Sequence, residues 1–70
     1  MSWEKSVFSS NVQSIGYDDQ TKDLIVTWKN GKRSAYQGVP EELADELSRA
    51  PSVGTMLNSE VKPVYPHRYV

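Results

Sequence analysis

The chain has 70 residues, a formal net charge of −1, a single histidine and no cysteine. This length predicts one small domain, and the composition excludes disulfides, thiolate metal sites and a zinc site built on histidines. No apolar run is long enough to span a membrane and the first residues, MSWEKSVF, lack the apolar stretch of a signal peptide, so we expect a soluble, cytoplasmic protein without membrane contact, cofactor or metal.

Residues 1–8 are interpreted as an N-terminal arm. Trp3 and Phe8 are large apolar residues in a polar setting, which indicates a lid over a small core or, as the alternative, an exposed anchor for a partner. A first strand is predicted over about 11–17, where Gly16 indicates a bulge or a close approach of backbone. Asp18 and Asp19 then favour a turn, because a calcium loop needs more oxygen ligands at regular spacing.

The strongest local signal is Asn30-Gly31, flanked by the alternating segments DLIVTW and KRSAY. Asn followed by Gly is typical of a two-residue type I′ turn, because both central positions need a positive φ. This turn predicts strands over about 23–29 and 32–37, with Lys29 opposite Lys32.

That register assigns the side chains of the hairpin to two faces. Trp28 would then face Arg33, Val26 would face Ala35 and Ile25 would face Tyr36. Since side chains alternate along a strand, one face is predicted to carry the core residues Leu24, Val26, Trp28 and Ala35. The second face is predicted to carry Ile25, Thr27, Ser34 and Tyr36.

Two short helices are predicted after the hairpin, over about 40–50 and 52–62. Pro40 suits the first turn of a helix, and Pro51 ends that helix. Gly54 lies near the start of the second helix and indicates a close neighbour, either by helix packing or by ligand contact. Residues 63–70 are predicted to form an extended tail in which Tyr65 and Tyr69 pack back on the domain. The fold class is therefore α+β, a three-stranded antiparallel meander followed by two helices in a single domain over 1–70.

The order and spacing of five short motifs resemble the KTSC domain. The motifs are SSNVQSIGYD, the strand–NG–strand unit, GVP, SVGTMLN and VKPVYP, and they extend from about Ser9 to Tyr65. The family is named for its occurrence at the C-terminus of some lysyl-tRNA synthetases and also occurs as free-standing bacterial and phage proteins. The resemblance implies the same α+β fold, and its synthetase context implies RNA binding as a hypothesis.

The chain departs from the family pattern at two places. The family typically has Tyr-x-Tyr where this chain has Ser34, Ala35 and Tyr36, and two aromatic residues where this chain has Met56 and Leu57. Both departures remove rings on which bases could stack, so they weaken the expectation of RNA binding.

Three classes of non-enzymatic function remain open. The first is RNA or nucleotide binding through the Tyr36 face of the sheet, and its candidate residues are Tyr36, Ser34, Lys29, Lys32, Arg33, Asn58, Lys62 and Tyr65. The alternative for the basic hairpin tip is a solvated turn whose lysines block edge pairing. The second class is a protein-interaction or self-associating module, including a phage protein that acts on a host partner, and the third is an accessory domain of enzymes that here stands free.

An enzyme is not expected. The sequence has no nucleophile elbow, no Walker loop and no GxGxxG motif, and its only histidine, His67, lies near the C-terminal end. The carboxylates of the first helix are predicted to face solvent rather than share a cleft.

Overall fold

The structure is a computed structural model that describes residues 2–70. Within these residues, five antiparallel strands form one sheet in sequence order, from β1 to β5. The strands are β1 (Ser2–Ser6), β2 (Val12–Asp18), β3 (Asp23–Trp28), β4 (Arg33–Tyr36) and β5 (His67–Tyr69). Between β4 and β5 the chain forms α1 (Glu41–Ser48), α2 (Val53–Met56) and a π-helical segment (Leu57–Val61) that continues α2. No helix of residues 2–70 is long and apolar enough to cross a membrane.

The α+β class, the three central strands and the two helical regions are confirmed, but the prediction of only three strands is wrong. The N-terminal arm forms β1 and pairs with β2, with Trp3 opposite Tyr17. The C-terminal tail forms β5 and pairs with β4, with Arg68 opposite Ala35. Both strands are short and mostly exposed, so neither carries the apolar alternation by which a strand is recognised in a sequence.

The predicted register of the central hairpin is wrong by one residue. The loop has three residues, Lys29 to Gly31, because the Gly31 N–H donates to the Trp28 carbonyl at 3.0 Å and the Trp28 N–H donates to the Lys32 carbonyl at 2.8 Å. Gly31 has a φ of +89°, whereas Asn30 is not among the residues with positive φ. This is a type I turn followed by a left-handed glycine, which is the usual three-residue hairpin connection.

The extra loop residue changes which side chains share a face. Leu24 lies opposite Tyr36 and Val26 lies opposite Ser34, so all of these point to the same side of the sheet. A one-residue change of register moves every side chain of a strand to the other face. Tyr36 and Ser34 therefore lie on the helix side of the sheet, where the predicted register had placed Ala35.

The helices cover one face of the sheet and enclose the core against it. Pro40 is the extended residue immediately before α1, one position earlier than the predicted first turn, and Leu47 on α1 and Leu57 after α2 are fully buried. Tyr17 from β2 reaches across the core, and its hydroxyl donates to the Val39 carbonyl at 2.6 Å. The remaining core is made of the buried residues Val12, Ile15, Leu24, Val26, Tyr36, Val39, Ala44, Val53 and Val61.

The β1–β2 region and the turn after β2 contain four residues with specific predicted roles. Asp18 forms the predicted turn, because its carboxylate accepts a hydrogen bond from the Gln20 N–H at 3.0 Å. A Cβ on Gly16 would lie 3.3 Å from the Trp3 carbonyl, which confirms a close approach of backbone there. Trp3 packs on Tyr17 as a lid would, with ring centroids 5.9 Å apart. Phe8 does not, since its side chain is 100% exposed.

We predict that Gly31→Ala destabilises the protein by about 1 kcal/mol, because an L side chain is strained at positive φ. Gly54→Ala is the matched control, since a Cβ there makes an ordinary 3.5 Å contact with the Ser9 hydroxyl and alanine favours a helix. Urea denaturation should give a lower free energy of unfolding for the first variant and an equal or higher one for the second. Equal losses in both variants would contradict the assigned loop.

Candidate functional site

A groove lies on the helix side of the sheet, between the central hairpin, β5 and the residue that follows the π-helical segment. It encloses about 420 Å³, a volume within the range of small-molecule sites. Its lining residues are Trp28, Asn30, Lys32, Ser34, Tyr36, Lys62, His67 and Tyr69. We refer to this site as the Trp28 groove.

Trp28 forms one wall of the Trp28 groove, at the end of β3. Its indole N–H donates to the Ser34 hydroxyl at 3.0 Å, which fixes the orientation of the ring. The Lys62 ammonium lies 4.9 Å from the centroid of that ring, in a cation–π contact. The half-buried indole is therefore held between the sheet and the end of the helical region.

Tyr36, His67 and Tyr69 form an aromatic cluster along β4 and β5. The Tyr36 and His67 rings are 5.2 Å apart, and the His67 and Tyr69 rings meet edge to face at 5.8 Å. Tyr36 is only 1% exposed and forms the floor, whereas Tyr69 is 71% exposed. Burial raises the pKa of the Tyr36 hydroxyl, and the neighbouring Tyr69 raises it further, so this phenol stays neutral and can donate a hydrogen bond at neutral pH.

The charged side chains of the Trp28 groove are both cationic. Lys32 and Lys62 both line it, and the groove has no acidic residue among its lining residues, all of which lie within residues 2–70. Aromatic rings beside ammonium groups can bind a flat ring together with an anion. The groove can therefore accommodate a ligand that has both parts.

The structure brings together half of the predicted site residues. Tyr36, Ser34, Lys32 and Lys62 line the Trp28 groove. Ser34 and Tyr36 line the groove from the helix side of the sheet, and not from the second face on which they are predicted to lie. The two lysines join them from the hairpin and from the end of the helical region.

The other predicted residues lie elsewhere. Lys29 borders a separate cleft between the hairpin and the residues before β2, and Arg33 lies on the face of the sheet that the helices do not cover. Asn58 lines a polar cleft beside Phe8 and Gly54. Tyr65 is half-buried against the core.

Three ring-bearing residues of the groove are not among the predicted site residues. Trp28 is predicted as a core residue only, but it lies at the margin of the core and is partly exposed. His67 and Tyr69 are predicted to lie in an extended tail without a pairing partner. The alternation of His67, Arg68 and Tyr69 after a proline is the signal that could have indicated an edge strand with two rings on one side.

Metal binding has no structural support in the described part of the chain. Residues 2–70 contain no group of three histidine, aspartate or glutamate side chains that could hold a metal ion. The only histidine, His67, is in contact with two tyrosine rings.

A family model and two curated relatives match most of the chain. The family model described as the KTSC domain matches residues 8–65. An uncharacterized protein of Stutzerimonas stutzeri is 36% identical over 61 residues, covering 87% of this chain and 84% of that protein. A protein of Tsukamurella paurometabola is 37% identical over 57 residues, covering 81% and 85%.

A solved structure is similar over the whole chain. The crystal structure of the KTSC domain protein YPO2434 from Yersinia pestis superimposes with a TM-score of 0.91 at 27% sequence identity. The similarity covers 100% of this chain and 99% of that protein. The added edge strands are thus part of a fold that a second protein shares from end to end.

We predict that Tyr36→Ala causes a loss of about 3–5 kcal/mol, as expected for deletion of a buried aromatic side chain. Because a small domain has little stability to lose, this variant should be largely unfolded. Tyr69→Ala removes a mostly exposed ring and should retain the wild-type far-ultraviolet circular dichroism spectrum and melting temperature within a few degrees. A folded, stable Tyr36→Ala variant would contradict the burial of Tyr36.

The raised pKa of Tyr36 predicts a dependence of stability on alkaline pH. Since the folded-state pKa lies above that of the unfolded chain, stability is retained below the ordinary tyrosine pKa of about 10 and falls as the pH rises through and above it. Tyr36→Phe should show a shallower fall between about pH 9.5 and 11 in urea denaturation, because it lacks this ionisation. Parallel curves for the two proteins would show that the Tyr36 ionisation is not coupled to folding.

Proposed function

The chain belongs to the KTSC domain family, and on that basis we propose that it is a non-enzymatic binding module that holds a nucleotide, or one nucleotide of a single-stranded RNA, in the Trp28 groove. The observation that carries this proposal is the contact between the Lys62 ammonium and the Trp28 ring in a groove that a second lysine also lines. The proposal combines a stacking surface with a phosphate site.

The base would stack on exposed aromatic surface. Trp28 offers part of its indole and Tyr69 offers most of its phenol ring, while Tyr36 and His67 support Tyr69 from β4 and from its own strand. Stacking of a base on an aromatic side chain is worth about 1–3 kcal/mol and tolerates any base. This supports a ligand defined by its ring and its charge rather than by its sequence.

The phosphate would lie between the two lysines. Ammonium groups bind phosphate as point charges, and the Asn30 side chain adds an amide group nearby. In the structure Lys62 lies over Trp28, so binding would move its ammonium from the ring to the phosphate and free that ring for the base.

The distribution of charge supports local rather than non-specific binding. Asp45 on α1 lies toward the β1 side, where its carboxylate is 4.0 Å from the Lys5 ammonium. Lys32 and Lys62 lie at the β4–β5 side of the same face. A chain of net charge −1 can therefore present a cationic groove while the rest of its surface repels a long polyanion.

The contacts that the polar side chains of the groove make within the chain support a non-enzymatic role. The Ser34 hydroxyl accepts a hydrogen bond from the Trp28 indole, and the His67 ring packs against the Tyr36 ring in a tilted arrangement. A catalytic serine would need a general base positioned on its hydroxyl. The groove is better suited to hold a ligand than to transform it.

Protein binding is the second candidate function, and Phe8 is the observation that favours it. This ring is fully exposed in the β1–β2 connection, beside a cleft of about 300 Å³ that Ser9, Ser52 and Asn58 also line. An exposed phenylalanine beside polar groups is a typical anchor for a protein partner. Phe8→Ser should then abolish recovery of that partner without changing the melting temperature.

Nucleotide binding is testable by titration with adenosine monophosphate and with a short oligouridylate, followed by amide chemical shifts and by indole fluorescence in a Trp3→Phe background. We expect shifts at Ser34, Tyr36 and Lys62, quenching of Trp28, and weaker binding at higher salt. Adenosine and inorganic phosphate, tested separately, should each bind more weakly than the nucleotide, since each supplies only one of the two contacts.

Lys62→Gln should weaken nucleotide binding by about three- to ten-fold, because one phosphate contact is lost. Lys29→Gln is the matched control, since it removes the same charge from the same region but outside the groove, and its affinity should remain close to wild type. Unchanged spectra with millimolar adenosine monophosphate and oligouridylate would exclude the proposal.

A further inference from the structure

The second face of the sheet is not covered by any helix of residues 2–70. The side chains on it alternate with those of the core face, so the strand registers identify them. They are Ser2, Glu4, Ser6, Ser14, Gly16, Asp18, Asp23, Ile25, Thr27, Arg33, Ala35 and Arg68. We refer to this surface as the open face.

One row of the open face runs straight across all five strands of the described sheet. Glu4 lies opposite Gly16, Gly16 opposite Ile25, Ile25 opposite Ala35, and Ala35 opposite Arg68. The row has an acid at one edge, a base at the other edge and three uncharged positions between them. Its central residue, Ile25, lies on the central strand and is partly buried.

Charge is divided between the two halves of the open face in the same way. Glu4 and Asp18 lie on β1 and β2, whereas Arg33 and Arg68 lie on β4 and β5. A two-fold rotation about an axis parallel to β3, in the plane above Ile25, would place β1 of one copy over β5 of the other. Glu4 of each copy would then face Arg68 of the other copy, and the two Ile25 side chains would meet on the axis.

We propose that the open face is the interface of a homodimer in which two copies pack sheet against sheet. Such an interface is isologous, because the same surface of both copies takes part. The charges at the two ends of the row carry the choice of a second copy as the occupant, because the rotation pairs Glu4 of each copy with Arg68 of the other. Asp23 on β3 lies near the axis and faces Asp23 of the second copy, and the Arg68 guanidinium at 3.6 Å offsets this repulsion.

The sizes of the side chains in this row are suited to packing of two sheets face to face. Sheets that pack face to face are about 10 Å apart, and their inner side chains must interdigitate within that distance. Gly16 and Ala35 flank Ile25, so the pair of Ile25 side chains on the axis has small neighbours on both sides. Ser14 and Thr27 in the adjacent row are also small.

The charged residues at the ends of the row have contacts within the chain that can be exchanged. The Arg68 guanidinium is 3.6 Å from the Asp23 carboxylate, and the Glu4 carboxylate accepts a hydrogen bond from the Ser14 hydroxyl at 3.4 Å. Both contacts are long, and the Arg68 side chain is about half exposed. Dimerisation can add a partner to each group without leaving an unpaired charge buried.

The contact area of the open face limits the affinity with which two copies can associate. Five strands about 4.8 Å apart and about five residues long give a contact of roughly 400 Å² per copy. Stable interfaces bury about 800 Å² per partner, so the dimer should be weak and concentration-dependent. Nucleic acid is a poorer occupant, because the twelve residues of the open face include acids and no aromatic ring.

The experiment is sedimentation equilibrium of the whole chain from about 10 μM to 2 mM, with a charge exchange between the two ends of the row. Glu4→Arg alone gives two copies that both carry arginines at both ends, and Arg68→Glu alone gives copies that both carry acids there. Each variant alone should dimerise at least about ten-fold more weakly than wild type. An equimolar mixture of the two should recover a dimer, because every acid then faces an arginine.

Two controls separate the interface from folding and from total charge. Glu46→Arg makes the same charge change on the exposed side of α1 and should leave the dimerisation constant unchanged. Thermal melting of each variant shows whether it is folded, and recovery of the dimer in the mixture requires both chains to be folded. Ile25→Lys, at the centre of the row, should weaken the dimer at least as strongly as either end.

Three results would overturn this proposal: a monomer at all concentrations, a dimer of unchanged strength in both single variants, or no recovery in the mixture. A dimer that Phe8→Ser alone disrupts would assign the contact to the β1–β2 connection instead. The proposal is independent of ligand binding, because the Trp28 groove lies on the opposite face.

Discussion

The connection between β3 and β4 controls which side chains face the helices. Gly31 adopts a left-handed conformation that lengthens the loop to three residues, and the following strand is thereby placed one residue out of the two-residue register. As a result, Tyr36 and Ser34 point toward the core side, where the Tyr36 ring packs against the His67 ring. The floor of the Trp28 groove and the charged row of the open face both depend on this loop.

Much of the fold could be predicted from the sequence because the central strands and helices carry strong periodic signals. The segment DLIVTW alternates, Pro40 marks the start of α1, and the family motifs add the order of the elements. The edge strands could not be predicted in the same way. Ser2–Ser6 and His67–Tyr69 are held by pairing with a neighbour rather than by a buried face of their own, so their sequences are mostly polar.

The candidate site was only partly predictable for the same reason. Lys32 and Lys62 are identified by their charge, and Tyr36 is identified by the family pattern. That all three line the same groove depends on tertiary structure. Asn30-Gly31 is compatible with both the two-residue and the three-residue hairpin loop, and the local sequence does not distinguish them. Packing decides between them: the three-residue loop buries Tyr36 beside Leu24, whereas the other register would direct this ring to the open face.

The two faces of the sheet differ in a way that allows them to act independently. One face collects the rings and two lysines at its β4–β5 side, and the other carries small residues with acids and arginines at opposite edges. β5 contributes to both, because His67 and Tyr69 point into the groove while Arg68 points to the open face. Docking of the C-terminal strand thus completes both surfaces at once. Any change that detaches this strand should affect ligand binding and self-association together, whereas a change confined to Arg68 should affect self-association and leave the rings of the groove in place.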